Sequence, residues 1–281
     1  MKCYLCPNMC GVDRAAERGK CLAGEKAVVN RAALHFYEEP PISGTRGSGT
    51  VFFGGCVMRC EFCQNYEISR APEGREYTPA ELTELYQRLE REGAHNINLV
   101  TPTQWSREIR ASFDIYRPAV PVVYNTSGYE RKEIIREMCD YVDVFLPDFK
   151  FSDEALARKL SLRADYPRTA LDAIEEMLKA KPALYEDGLI KRGVIIRHLV
   201  LPGFIQNSIA ALDMLAERFG KDITVSLMSQ FTPVAGKTIT RRLKPIEYKA
   251  VVAHAEKLGM EDVYIQTADS ASEEFIPKWE K

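Results

Sequence analysis

The sequence has no run of about 18 apolar residues, the length at which a helix crosses the hydrocarbon core of a bilayer, so no transmembrane helix is expected. It also lacks an excess of charge of either sign: 38 Lys and Arg stand against 40 Asp and Glu, a formal charge of -2. That balance gives no electrostatic footprint for nucleic acid or an anionic membrane, and neither is an expected partner. The first residues, MKCYLCPNMCG, hold cysteines where a secretory signal would hold its apolar stretch. A soluble, cytoplasmic protein is the expectation. Cysteine is sparse but unevenly placed, with seven of the eight falling in the first 63 of 281 residues. In a reducing compartment that close spacing reads as metal ligation rather than disulfide pairing.

The most informative stretch is GGCVMRCEFCQN, in which Cys56, Cys60 and Cys63 are spaced C-x3-C-x2-C directly after the apolar run Thr50 to Phe53. Three thiolates are one fewer than a closed tetrahedral zinc site or an electron-transfer cluster takes, whereas a catalytic metal keeps a position open. Zinc completed by a distant His or Cys is the bland alternative. Gly54 and Gly55 permit close backbone approach to a bulky group. Upstream, Cys3, Cys6, Cys10 and Cys21 offer a second, four-thiolate set that would staple a short segment with little core of its own. Zinc and an iron-sulfur cluster both accept four cysteines, so the metal stays open between them.

Beyond these segments the chain alternates strands and helices. Strand-like runs are 50–53, 97–101, 120–124, 142–147, 194–201, 223–228 and 263–266. One helix starts at the capping-box pattern Thr78-Pro79-Ala80-Glu81 and stops at Gly93; others are expected over 105–117, 130–140 and 245–258. Near-continuous apolar strands in repeated βα units imply a parallel sheet covered by helices.

The C-x3-C-x2-C loop with an aromatic residue, Phe62, before its third cysteine resembles the signature of the radical S-adenosylmethionine (SAM) superfamily. HFYEEPPISGTRGSGTVFFGGC, NINLVTPT, FLPDFKF, IIRHLVLPG and SLMSQFTP extend the resemblance to uncharacterised homologues of pyruvate formate-lyase activating enzyme. The resemblance implies an α/β fold: a partial (β/α)6 TIM-like barrel over 46–281 behind a cysteine-rich appendage over 1–45, with a seventh strand present or absent. It also implies a 4Fe-4S cluster on Cys56, Cys60 and Cys63 that binds SAM and donates one electron, giving methionine and a 5'-deoxyadenosyl radical. A reduced flavodoxin or ferredoxin would supply the electron, and a glycyl radical enzyme would be the partner. A peptide, amino acid or tRNA substrate is the alternative, and a non-catalytic electron-transfer or sensing protein the third reading.

Relatives carry a Gly-Gly-Glu motif after the second strand, contacting the SAM amino group, where this chain has Val100-Thr101-Pro102-Thr103-Gln104. Thr101 and Thr103 are the candidate neutral acceptors there, or the segment simply starts a helix. Asn125, Thr126 and Asp148 match segments that surround the SAM carboxylate and a monovalent cation; Asn125 in place of Asp weakens the expectation of the cation. Lys150 would neutralise a carboxylate of SAM or substrate, or pair with Asp148. On the fifth strand the resemblance favours Arg197 pointing inward, toward a carboxylate or ribose, and His198 outward as a packing residue. Gln230, Gln266 and Asp269 are weaker substrate candidates. Cys139 reads as a buried small hydrophobe, His35 as a residue at the appendage boundary, His95 and His254 as loop and helix residues, and 88–92 as a solvated helix face.

Overall fold

The computed structural model describes residues 2–234, 236–266 and 279. Its strands are β1 (Ala27–His35), β2 (Ser48–Phe53), β3 (Arg75–Tyr77), β4 (Ile97–Val100), β5 (Val122–Thr126), β6 (Val144–Pro147), β7 (Leu184–Glu186), β8 (Leu189–Val194), β9 (Ile196–Leu199), β10 (Val225–Met228) and β11 (Val263–Ile265). Strands β2, β4, β5 and β6 are parallel in that order, β6 continues in parallel to β8, and β9, β10 and β11 complete the curve, also in parallel. β8 and β9 are one stretch interrupted at Ile195, whose N–H still donates to Phe145 O on β6 at 3.0 Å. No ladder joins β11 back to β1 or β3 among the described residues, so the sheet is an open, partial barrel.

Helices Pro79–Arg91, Ser106–Ile115, Lys132–Met138, Glu154–Ser161, Tyr166–Ala180, Ile205–Phe219 and Pro245–Lys257 occupy the crossovers, as parallel strands require. The capping box at Thr78 is formed: its N–H donates to Glu81 Oε2 at 2.8 Å, and its hydroxyl accepts from Glu81 N at 3.3 Å. Several expected bounds shift, the strands expected from 142 and 223 starting at Val144 and Val225. The third barrel strand begins at Val122 rather than Val120, since Pro121 has no N–H to give a ladder. The helix expected from Trp105 starts as a 3-10 turn, Thr103–Trp105, and ends at Ile115. The seventh parallel strand is present as β11. Among the described residues no helix is long and apolar enough to cross a membrane.

β1 lies antiparallel between β2 and β3 and so belongs to the main sheet. Hydrogen bonding therefore runs across the boundary expected at residues 45 and 46.

Alternation along the strands sorts their side chains into two compartments. Phe53, Leu99, Tyr124, Phe145, Ile196 and Leu227 face the helices within the large core. Val123, Val144, Leu146 and Ile195 face the lumen, where they enclose Ile42 from the turn Pro40–Ser43. The chain leaving β1 thus folds back into the barrel as a plug.

His198 is on the helix face, fully buried, and hydrogen-bonded at both ring nitrogens: Nδ1 to Phe149 O at 2.6 Å and Nε2 to Ser208 Oγ at 2.9 Å. The carbonyl only accepts, so Nδ1 carries the proton and the serine hydroxyl donates to Nε2. Burial holds its pKa down at about 4, against an ordinary 6.5. The unfolded chain binds the extra proton between those values, so this histidine's contribution is present above pH 6.5 and lost as pH falls toward 4. We expect His198→Gln to be less stable than wild type by about 2 kcal/mol at pH 7.5, with the difference narrowing at pH 4.5 because glutamine does not titrate. Urea unfolding at the two pH values measures it, and a pH-independent difference would contradict the assignment.

Candidate functional site

At the carboxyl ends of the barrel strands a cavity opens beneath the cysteine loop. Cys56, Cys60, Cys63 and Phe62 line one side; Thr101, Asn125, Thr126, Asp148, Lys150 and Arg197 line the other. The structure thus brings together all but one of the residues singled out for the cysteine cluster and its cofactor.

Backbone carbonyls hold the cysteine loop in place. Gln104 Nε2 donates to the carbonyls of Gly54 and Gly55 at 3.2 and 3.1 Å, and Trp105 Nε1 donates to Gly54 O at 3.0 Å. Gly55 has φ +77, and a Cβ there would lie 2.4 Å from Cys21 O, so glycine is required both for the turn and for the approach of the N-terminal segment. Phe62 is buried, edge-on to Phe151 with ring centroids 5.9 Å apart. Thr101, a β-branched residue at φ +59, is a strained position at the cavity edge.

The three thiols are free, and burial pushes Cys63 up to about 11 and Cys60 higher still. Lys150 acts on both in the opposite direction, favouring thiolate. An all-sulfur set of this kind suits an iron-sulfur cluster, whose iron would deprotonate the thiols outright. Among the described residues no three Cys, His, Asp or Glu side chains close on a single-ion position; the thiols instead border an open cavity, with space for a wider group.

Behind this cavity the lumen is polar. Arg197 donates from Nε to Asp148 Oδ1 at 3.0 Å, from one terminal nitrogen to Glu38 Oε2 at 3.3 Å and from the other to Asn125 Oδ1 at 2.5 Å. Asn98 and Asn125 both donate to Glu38 Oε1, at 3.1 and 3.3 Å. Lys150 pairs with Asp148. Burial alone would raise Asp148, but Arg197 and Lys150 hold it below the ordinary carboxylate value. Glu38 is raised instead, burial outweighing Arg197. The guanidinium fork thus points inward, and the carboxylates it meets are the protein's own Asp148 and Glu38.

Glu38 was not among the sequence candidates. It follows the last residue of β1 by three positions, in a segment whose return into the barrel no periodicity announces. The signal was the pair Glu38-Glu39 before Pro40-Pro41, two acids at the entrance to a turn.

Thr103 departs from expectation. It is buried and its hydroxyl donates to Glu130 Oε1 at 2.5 Å, as does that of Thr126, so it does not line the cavity. The physical reason is that Glu130 is buried behind β5 and needs donors. Its Oε2 has no hydrogen-bond partner among the described residues. Gln230 and Gln266 meet through Gln266 Nε2 and Gln230 Oε1 at 2.9 Å. Asp269 lies outside the described residues. Cys139 is half-buried against the core rather than fully enclosed.

Cys3, Cys6 and Cys21 are buried, Cys10 partly so, and all four are free thiols. A Cβ on Gly19 would touch the sulfurs of Cys10 and Cys21, at 3.4 and 3.5 Å. Cys3 and Cys10 both disfavour the Cys21 thiolate, and Cys21 that of Cys6, so the four share one neighbourhood, although here too no three of them close on a single-ion position. Asn8 Nδ2 spans the two cysteine segments, donating to Val57 O at 3.0 Å and approaching Cys6 Sγ at 3.5 Å.

Residues 50–216, more than half of the chain, match the Radical SAM superfamily. The chain belongs to that superfamily. An uncharacterised protein of Methanocaldococcus jannaschii is 28% identical over 275 residues, covering 93% of this chain and 76% of that protein. Among solved structures, a radical SAM methyltransferase from Sphaerobacter thermophilus superposes with a TM-score of 0.56 at 14% identity, covering 90% of this chain and 80% of that one. Streptococcus suis SuiB bound to its precursor peptide SuiA gives 0.54 at 10% identity over 76% of this chain, which spans about half of SuiB, 47% of its length. At these identities the structural likenesses establish the fold, a radical SAM partial barrel, and the family implies a 4Fe-4S cluster and SAM.

Burial lifts Glu130 to about 7 despite the two threonine hydroxyls. The folded state therefore binds a proton the unfolded state has lost between about pH 4.5 and 7, so the wild type loses stability as pH rises through that window, by about 1.4 kcal/mol per unit. Glu130→Gln keeps an acceptor for both threonines and does not titrate. It is expected to gain on wild type by about 2 kcal/mol between pH 5 and pH 8, measured by denaturant unfolding; an equal difference at both values would refute the buried-carboxyl reading.

Proposed function

We propose that this radical SAM protein reductively cleaves SAM at a 4Fe-4S cluster on Cys56, Cys60 and Cys63 and abstracts hydrogen from a second substrate. The carrying observation is the convergence of three free thiols, Cys60 buried and Cys56 and Cys63 partly so, on one cavity with the polar ends of β4, β5, β6 and β9. When bound, the cluster and SAM would supply an electron and a 5'-deoxyadenosyl radical. This chain's residues do the rest. Lys150 favours the thiolates and neutralises Asp148; Thr101, Asn125 and Thr126 wall the cofactor cavity, with the Asn125 amide held by Glu38 and Arg197 and the Thr126 hydroxyl by Glu130; the plugged lumen keeps water from reaching the site from below.

The finer reading carried by the sequence resemblance is activation of a glycyl radical enzyme, with a reduced flavodoxin or ferredoxin as donor. Hydrogen abstraction from a peptide, amino acid or tRNA is the second reading. A further cavity lined by buried carboxylates favours it in the form of a substrate with polar groups of its own. The four N-terminal cysteines would hold zinc or a second iron-sulfur cluster.

Anaerobic reconstitution with iron and sulfide, reduction by dithionite and quantification of 5'-deoxyadenosine test the central reading. Wild type should form the product, and Cys56→Ala, Cys60→Ala and Cys63→Ala should reduce it at least about a hundredfold, since each removes a cluster ligand. Product formation independent of these cysteines would exclude the proposal.

In the variant lacking all three, metal analysis reads the N-terminal site alone. Loss of all metal would contradict a second site. Retained iron with an iron-sulfur resonance after reduction would identify a cluster, and retained zinc a structural ion.

A further inference from the structure

A second cavity adjoins the first on the open side of the barrel, between the segment 37–40 and strands β10 and β11. It shares Glu38 and Arg197 with the cofactor cavity and adds Glu39, Ser226, Tyr264 and Gln266. Glu39 is only 8% exposed, and its Oε2 has no hydrogen-bond partner among the described residues. A desolvated carboxylate oxygen without a donor is costly and calls for a counter-charge or a proton.

Arg197 favours the ionised Glu39, but burial outweighs it and holds Glu39 above the ordinary carboxylate value. Arg197, the cationic residue on this cavity's wall, already gives its Nε to Asp148 and its terminal nitrogens to Glu38 and Asn125. Lys150 is paired with Asp148. Across the lumen, three carboxylates, Glu38, Glu39 and Asp148, therefore face two cations, Lys150 and Arg197. The surplus negative charge is at the one carboxylate whose oxygen is unpartnered. The remaining walls suit a cation with a short carbon stem: Tyr264 lines the same cavity as Glu39, and the paired amides of Gln230 and Gln266 close one side.

We propose that this second cavity is the substrate subsite and that it receives a protonated primary amine, held by the Glu39 carboxylate with its carbon stem directed toward the cofactor cavity. The inference rests on the reading that the cysteine-lined cavity binds the cluster and SAM, but its test does not require SAM cleavage. Isothermal titration calorimetry under anaerobic conditions, on the cluster-loaded protein, compares n-butylammonium with butan-1-ol and butyrate. Wild type should bind the ammonium about tenfold more tightly than the alcohol and should not measurably bind butyrate. Glu39→Gln should abolish that preference, and, having lost a buried unpaired anion, should unfold at a higher temperature than wild type at pH 8.

Equal binding of the alcohol and the ammonium by wild type would show Glu39 to be a neutral, protonated donor and overturn the proposal without any variant. Ammonium binding that survives Glu39→Gln would also overturn it. So would loss of SAM affinity in Glu39→Gln, which would assign the carboxylate to the ammonium of SAM. Absence of 5'-deoxyadenosine in wild type, with the amine preference intact, would count against the SAM chemistry alone.

Discussion

Arg197 is a permanent cation nearly removed from water inside the barrel, and the arrangement of the lumen follows from the need to satisfy it. Its three hydrogen-bonded partners come from the end of β6, from β5 and from the segment after β1. A buried ion network of this kind seldom adds much net stability, because desolvation offsets the Coulombic gain. What it fixes is position. Glu38 can accept from Arg197, Asn98 and Asn125 together only if the chain leaving β1 turns back into the barrel, and that turn sets Ile42 among Val123, Val144, Leu146 and Ile195. The apolar plug below and the polar layer above are consequences of one chain reversal.

The cysteine loop depends on a second set of neutral contacts. Gln104 and Trp105, just after β4, spend their donors on the carbonyls of Gly54 and Gly55. Arg163 and Asn8 both donate to Val57 O, at 2.9 and 3.0 Å for the closer contacts. The loop is therefore held by its backbone, leaving the cysteine side chains free to converge on the cavity. The N-terminal cysteines approach this backbone closely, with Cys21 O against Gly55, so the two cysteine segments pack as neighbours rather than as independent units.

The cysteine spacing and the parallel strands were legible because each rests on a local pattern: three thiols in one loop, apolar runs between amphipathic helices. The outward orientation of His198 followed from its place next to Arg197, since neighbours on a strand point to opposite faces. Lys150 pairs with Asp148, one of the two roles its place two residues along the chain allows. What escaped the sequence is non-local. Glu38 reaches Asn98, Asn125 and Arg197 across 60, 87 and 159 positions, and no periodicity encodes such meetings. Thr103 starts a helix, the second of its two readings, and its acceptor was hidden for the same reason: Glu130 is 27 residues away, on the loop after β5. β1 read as part of an appendage because antiparallel addition to a parallel sheet is a tertiary choice.

The division between shared and individual parts of the molecule follows the two cavities. The match to the superfamily covers residues 50–216 and contains the three cysteines of the loop together with Asn125, Asp148, Lys150 and Arg197. Of the second cavity's walls only Arg197 falls inside that range; Tyr37, Glu38 and Glu39 precede it, and Ser226, Gln230, Tyr264 and Gln266 follow it. A scaffold that performs one radical chemistry on many substrates must vary recognition without disturbing the cofactor, and flanking segments can vary where barrel strands cannot. Arg197 joins the two parts, since it faces both cavities and is bonded to Asp148 of the first and to Glu38, which lines both. The occupant of the second cavity would therefore be sensed, through Glu38 and Arg197, at the same Asp148 that steadies the lysine beside the cysteines.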